Sequence, residues 1–350
     1  MPLLDDFTIQ GPNGTHAVHV TDVIMPAVHL LRHPISAKRD IIVGLVRGLA
    51  HLHRCGFVHG DLHIGNVGCA MPPGFAAADF FYIMQILGHF DTMIVLPEDP
   101  KQKSTSLPAY LLDTCYEEFG GLDTTVRPET RIFDFGNARK VGDENVADGI
   151  CWGCPPPEVA FAHYGLGGVD VFPTIEGDVW YLGATMMMIL FGLPIRTHMD
   201  DLYLLELAML DGSLPPTWRE RWSSVPHLRP SVAVITRENA DTEWPQLCDR
   251  IVQQNSHFDR PDVDRLIPLL RRMLVLDSAS RPSVEEVLAD PWFAEGLSVI
   301  VDGNAEVRQR SMSGVHQRLS PVMLLPFEVI ALSCLESCAQ HFLRLVLVTS

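Results

Sequence analysis

Apolar and polar residues alternate from Thr15 to Val23, and several are β-branched, so the pattern predicts a strand. Leu3–Ile9 is its expected partner, because Gly11-Pro12-Asn13-Gly14 between them is a turn signal. The period then changes. Ile41, Ile42, Leu45, Val46, Leu49 and Leu52 recur at helical spacing, with Ser36 as the expected N-cap and Gly56 as the stop. A polar loop, Phe57–Asn66, follows. Met71–Arg131 is irregular, carries a polar patch at Pro97–Ser106, and reads as an insertion with one or two helices of its own. Ile132–Phe135 is a short apolar run into Gly136. Gly177–Leu193 is apolar on every face and predicts a buried central helix. Leu214–Phe258 mixes Trp, Pro and charge and reads as a second insertion. Asp262–Leu276 and Ser283–Asp290 are amphipathic helices. No internal repeat is present.

Composition narrows the classes. The formal net charge of the 350 residues is −17, from 43 acidic and 26 basic side chains. So large an acid surplus argues against a nucleic-acid surface; it serves ordinary solubility and permits a basic partner, such as an Arg-rich peptide. The eight cysteines are scattered, and Cys151-x-x-Cys154 has no second pair at zinc-site spacing, so a reducing compartment is expected, the cytoplasm or the nucleus. Asp5 and Asp6 open the chain where a signal peptide would be basic and then apolar. The apolar stretches at Pro321–Cys334 and Phe342–Val348 are too short or too interrupted for a membrane span.

The chemistry concentrates in His59-Gly60-Asp61-Leu62-His63-Ile64-Gly65-Asn66, directly after the first helix. A phosphoryl-transfer centre needs a carboxylate that takes a hydroxyl proton and a nearby oxygen that holds magnesium. Asp61 and Asn66 are of the right types, within one loop. Asp134-Phe135-Gly136 adds a second carboxylate at the end of the apolar run, with Phe135 expected to pack into the core. The same loop also suits an ordinary polar turn. His51, His53, His59 and His63 are more naturally loop and core histidines than metal ligands, and Met186–Met188 is core packing.

Further motifs follow in order: Pro156-Pro157-Glu158, Asp178-Val179-Trp180 with Gly183, and Leu276-Asp277 with Arg281-Pro282. Together the five elements resemble the C-terminal lobe of eukaryotic protein kinases. The segment Leu3–His16, the long separation of Asn66 from Asp134, and Leu214–Trp218 with Trp222 are similar to fungal SR-protein kinases. The resemblance covers roughly residues 3–295, and 298–350 match nothing. It implies an α+β, protein kinase-like fold: residues 1–30 as a remnant N-lobe with hinge, 31–297 as the C-lobe with insertions near 71–131 and 211–260, and 298–350 as a tail.

The resemblance also implies roles. Asp61 is the base, with His63 at the catalytic-loop lysine position. Asn66 and Asp134 hold Mg2+ and ATP. Thr21 is the gatekeeper, and Asp22 to Ile24 offer hinge groups to adenine. His59, Phe135, Gly136, Glu158, Asp178 and Arg281 are structural, the Glu158–Arg281 pair being a buried ion pair. The implied substrate is a protein hydroxyl, on Arg/Ser-rich chains.

The sequence departs from the kinase pattern in several places. No Gly-x-Gly-x-x-Gly precedes Asp61, and no lysine strand with its helix is found there, so weak ATP binding is expected of these residues. Gly60 stands where the pattern has Arg, and Cys154 where it has Tyr. No Ser, Thr or Tyr lies between Asp134 and Glu158, so control by phosphorylation there is not expected. A pseudokinase acting as a binding module is the alternative class. A small-molecule phosphotransferase of the aminoglycoside- or choline-kinase type shares the His59–Asn66 pattern but lacks the later motifs.

Overall fold

The computed structural model describes residues 3–11, 14–30, 35–71, 75, 79, 81, 92–95, 110–112, 129–143, 154–163, 172–192, 201–226, 228–254 and 260–293. They form a mixed α+β protein in which helices dominate and the sheets are small.

The expected N-terminal pair is present. β1 (Leu3–Gly11) and β2 (Gly14–Thr21) run antiparallel, closing on Gly11↔Gly14. Leu3, Leu4, Phe7, Ile9 and Val20 are all exposed on this hairpin. β3 (Ile24–Pro26) leaves it and pairs with the strand that follows the polar loop.

α1 spans Ile35–Arg54. It begins at Ile35, one residue ahead of the expected Ser36 cap, within the usual uncertainty of a helix end. Its apolar stripe, Ile41, Ile42, Leu45, Val46 and Leu49, is fully buried. It stops at Gly56, whose φ of +81° is one that L side chains rarely adopt. Gly44 in its middle is required by packing, since a Cβ there would stand 2.4 Å from Thr130 Oγ1. That hydroxyl donates to the Ile41 carbonyl and ties α1 to the sheet.

β4 (Phe57–Val58) pairs with β9 (Arg139–Lys140), while β5 (Val67–Ala70) is the centre of the order β3-β5-β8. Between β5 and β8 (Thr130–Ile132) the described residues include a second hairpin, β6 (Thr92–Ile94) with β7 (Tyr110–Leu112). The one or two helices expected in this insertion concern residues that lie mostly outside the described set. β-Branched Ile94 facing aromatic Tyr110, and β-branched Thr92 facing Leu112, suit strand backbone.

α2 (Pro157–His163) precedes the core helix α3 (Ile175–Phe191). Every α3 residue from Gly177 to Phe191 is buried except Met188, as a helix apolar on all sides requires. Thr174 caps its N-terminus through Oγ1 to the Gly177 N–H, and Gly192, at φ +66°, closes its C-terminus. Buried Lys38 of α1 donates to the Leu190 carbonyl at 3.1 Å, placing a cation at the negative end of α3.

The remaining α-helices among the described residues are α4 (Asp201–Asp211), α5 (Arg219–Ser224), α6 (Arg237–Gln254), α7 (Arg260–Met273) and α8 (Val284–Leu288). Ser283 and Glu286 form a capping box at α8. Trp218 stacks on Phe161 and Trp222 is fully buried, so both pack the core. One continuous core runs from α1 through α3 to Phe293. Among the described residues no helix is long and apolar enough to cross a membrane.

Candidate functional site

The site grows out of the turn between β4 and β5. His59, Gly60 and Asp61 emerge from β4, and a short 3-10 turn, Ile64–Asn66, leads into β5. Asp178 fixes this loop from below. It is completely buried one turn into α3, and it accepts the His59 N–H at 2.7 Å, the Gly60 N–H at 2.8 Å and His53 Nε2 at 2.9 Å. Thr185, two turns further along α3, donates to the Leu62 carbonyl at 3.0 Å. One rigid helix therefore holds the loop at its start and at its middle.

His59 is buried, and burial lowers its pKa although Asp178 and other carboxylates nearby oppose the shift. Its partners match the neutral ring. Nε2–H donates to the Phe133 carbonyl at 3.1 Å, and Nδ1 accepts the Asp61 N–H at 3.3 Å. His59 thus ties the loop to the residue that precedes Asp134. A second tie is the Phe133 N–H, which donates to the Asn66 carbonyl at 3.1 Å. Through these bonds and the β5–β8 pairing, Asp61, Asn66 and Asp134 come into one neighbourhood from distant parts of the sequence.

Each presents oxygen. The Asn66 amide nitrogen donates to the Asp61 carbonyl at 2.9 Å, which leaves its amide oxygen as the atom that can face a cation. Asp134 adopts φ +59°, a left-handed backbone that costs on the order of 1 kcal/mol and occurs mostly where a site demands it. Its Oδ1 accepts the Gly136 N–H at 3.3 Å. The Asp61 carboxylate is nearly buried. Oδ2 accepts from Asn137 Nδ2 at 3.2 Å, whereas Oδ1 has no hydrogen-bond partner and lies 3.9 Å from His63 Nε2. His63 Nδ1 accepts the Gly65 N–H, so the ring faces Asp61 through Nε2. Asn66 and Asp134 offer hard oxygen donors of the kind magnesium takes, and the orphaned Asp61 Oδ1 beside them can accept a proton. No cluster of three or more His, Cys, Asp or Glu suited to a metal occurs among the described residues.

Phe135 corrects an expectation. It is 43% exposed, with one face tilted against the His59 ring at 5.2 Å. The backbone reversal at Asp134 turns it away from the core, and His59 is the ring it meets. Thr21 ends β2, with its Oγ1 on the Asp22 carbonyl, and exposed Asp22 leads to Ile24 in β3. β3 lies against the Ile64–Asn66 turn, so this link borders the site.

Glu158 and Arg281 join α2 to the segment before α8 in a bidentate pair, at 2.9 Å and 2.6 Å. Arg281 also donates to the carbonyls of Glu176 and Val275, and its guanidinium faces the Trp180 ring at 5.3 Å. The pair sits beside α3 and braces the helix that carries Asp178.

Sequence reasoning missed Thr185 and Asn137, and it placed His53 among the loop and core histidines without its bond to Asp178. Helical spacing puts His53 in the last turn of α1, but its bond to Asp178 spans distant segments and leaves no local signal.

No family model matches the chain. Among characterised proteins its likeness is to a protein kinase, and to that extent the chain is kinase-like. Mitogen-activated protein kinase 12 of Danio rerio is 26% identical to it over 217 residues, 60% of this chain and 53% of the relative. The chain thus spans about half the length of this curated relative.

Proposed function

We propose that the chain is a serine/threonine protein kinase-like phosphotransferase, SR-protein-kinase-like in its motifs, moving the γ-phosphoryl group of ATP to a protein hydroxyl. The observation that carries this reading is the convergence of Asp61, Asn66 and Asp134 on one rigidly braced loop. Asp61 takes the proton from the substrate hydroxyl. Asn66, through its amide oxygen, and Asp134, through its carboxylate, hold magnesium with ATP. When bound, that ion neutralises charge on the transferred group. Thr21, Asp22 and Ile24 border the adenine, and His63 places an imidazole beside the base where a kinase loop has lysine. Net charge of −17 favours a basic substrate, consistent with Arg/Ser-rich chains.

The test is transfer from γ-labelled magnesium–ATP to a Ser/Thr peptide library. It is run on the 350-residue chain and on a fusion carrying a glycine-loop lobe. Transfer that favours basic peptides and vanishes in Asp61→Asn and Asp134→Ala supports the reading. No transfer in either form supports the alternative, a binding module without catalysis.

A further inference from the structure

The loop around Asp61 lacks two groups usual in its motif. Gly60 replaces an arginine, and the segment Asp134–Glu158 has no hydroxyl residue. The structure shows what stands in that space. Gly60 has φ +77°, and a Cβ on it would lie 2.9 Å from the Asn137 carbonyl oxygen and 3.0 Å from Pro173. The absence of a side chain at residue 60 is therefore what lets the backbone at Asn137 dock onto the loop. From there the Asn137 amide reaches Asp61 Oδ2 at 3.2 Å. The nitrogen must face the carboxylate, because the amide oxygen would repel it.

We propose that Asn137, seated against Gly60, is the positioning residue for Asp61. It holds Oδ2 and leaves Oδ1 as the proton-accepting atom. The inference rests on the phosphoryl-transfer reading of the site. Oδ1 is the carboxylate oxygen without a hydrogen-bond partner, and such an orphan is unfavourable until a donor arrives. A substrate hydroxyl supplies that donor. Its proton passes to Oδ1 while its oxygen bonds to the γ-phosphorus of ATP. The bond from that phosphorus to the β–γ bridging oxygen breaks, and ADP leaves with the electron pair. The Gly60–Asn137 contact gives the base its orientation without a phosphorylated loop. An active geometry built into the fold is what a segment with no phosphate acceptor requires.

Two readouts test this on the full chain. The first is the side-chain amide resonances of Asn137. In the wild type they are split and protected from exchange, and Asp61→Ala collapses them to the pattern of a solvated amide. Unchanged resonances in Asp61→Ala overturn the clamp. The second is the kinetics of phosphate transfer at saturating magnesium–ATP. Asn137→Leu keeps the approximate shape but removes the donor, and it lowers kcat about 10- to 100-fold, the scale of a misplaced catalytic group. The KM for ATP and the melting temperature stay near wild type. Asn137→Ala gives the same split. A variant that loses stability without the kcat-specific loss assigns Asn137 a merely structural role and overturns the proposal. An inactive wild type overturns the phosphoryl-transfer reading and with it the catalytic role. The resonances still decide whether the clamp exists.

Discussion

Two buried polar clusters lie close together in this protein, and they are finished differently. Around Arg281 the guanidinium is satisfied, although Nε1 of Trp180, the ring it faces, has no hydrogen-bond partner. The Arg281 side chain is fully buried, and Glu158, Glu176, Val275 and, at a long 3.5 Å, Leu276 supply acceptors for all five of its N–H groups. Around Asp61, with a side chain almost as deeply placed, one carboxylate oxygen accepts a hydrogen bond and the other is orphaned. A saturated network fixes structure, because any loss leaves a charge or carbonyl stranded. An unsaturated one retains capacity for a ligand. On the proposed reading, the difference separates scaffold from chemistry within one stretch of the fold.

The comparison breaks most visibly at the saturated end. Arg281→Ala strands Glu158 and several carbonyls and is expected to lower unfolding stability by about 3–5 kcal/mol. Urea denaturation measures this, and a loss under about 1 kcal/mol would show that the cluster is not structural.

Asp178→Ala comes next. It leaves the His59 and Gly60 N–H groups without acceptors, at a cost of about 2–3 kcal/mol. Amide hydrogen exchange at His59 and Gly60 should accelerate before α3 itself opens. Exchange unchanged at those two amides would show that Asp178 does not hold the loop.

His59 adds a pH dependence. Its pKa is below 6.5 in the folded state because burial disfavours the charged ring. The unfolded chain therefore binds more protons as pH falls below 6.5, so the stability contribution is full above that value and is lost as pH drops toward the folded pKa. His59→Gln should flatten this limb of the stability profile. An identical slope in both proteins would show that other groups carry it.

The smallest expected change in stability is at the unsaturated end. Asp61→Asn replaces a buried charge having one orphaned oxygen, so stability should change by less than about 1 kcal/mol. A loss as large as that of Arg281→Ala would erase the distinction between the two clusters.

The helices were legible because their cause is local. The stripe from Ile41 to Leu49 and the all-apolar Gly177–Phe191 run each bury what their periodicity says they bury. The turn at Gly11–Gly14 set the first hairpin, and the order of motifs brought Glu158 to Arg281. Bonds between remote segments were not legible. Asn137 to Asp61, Thr185 to Leu62 and Thr130 to Ile41 each join side chains to partners more than 70 positions away. An Asn after Asp-Phe-Gly has no period or spacing to betray its aim. Phe135 was misread for a related reason: its apolar character suggested the core, but the left-handed backbone at Asp134 decides where it goes.

The central claim is that Asn66 and Asp134 form one metal–nucleotide site beside Asp61. The most direct measurement is paramagnetic broadening of amide resonances by manganese–ATP. The account predicts selective broadening at Asn66 and at Phe133–Gly136, removed by Asp134→Ala, with resonances near Arg281 unaffected. Broadening that ignores Asn66 and Asp134, or that persists in Asp134→Ala, would contradict it.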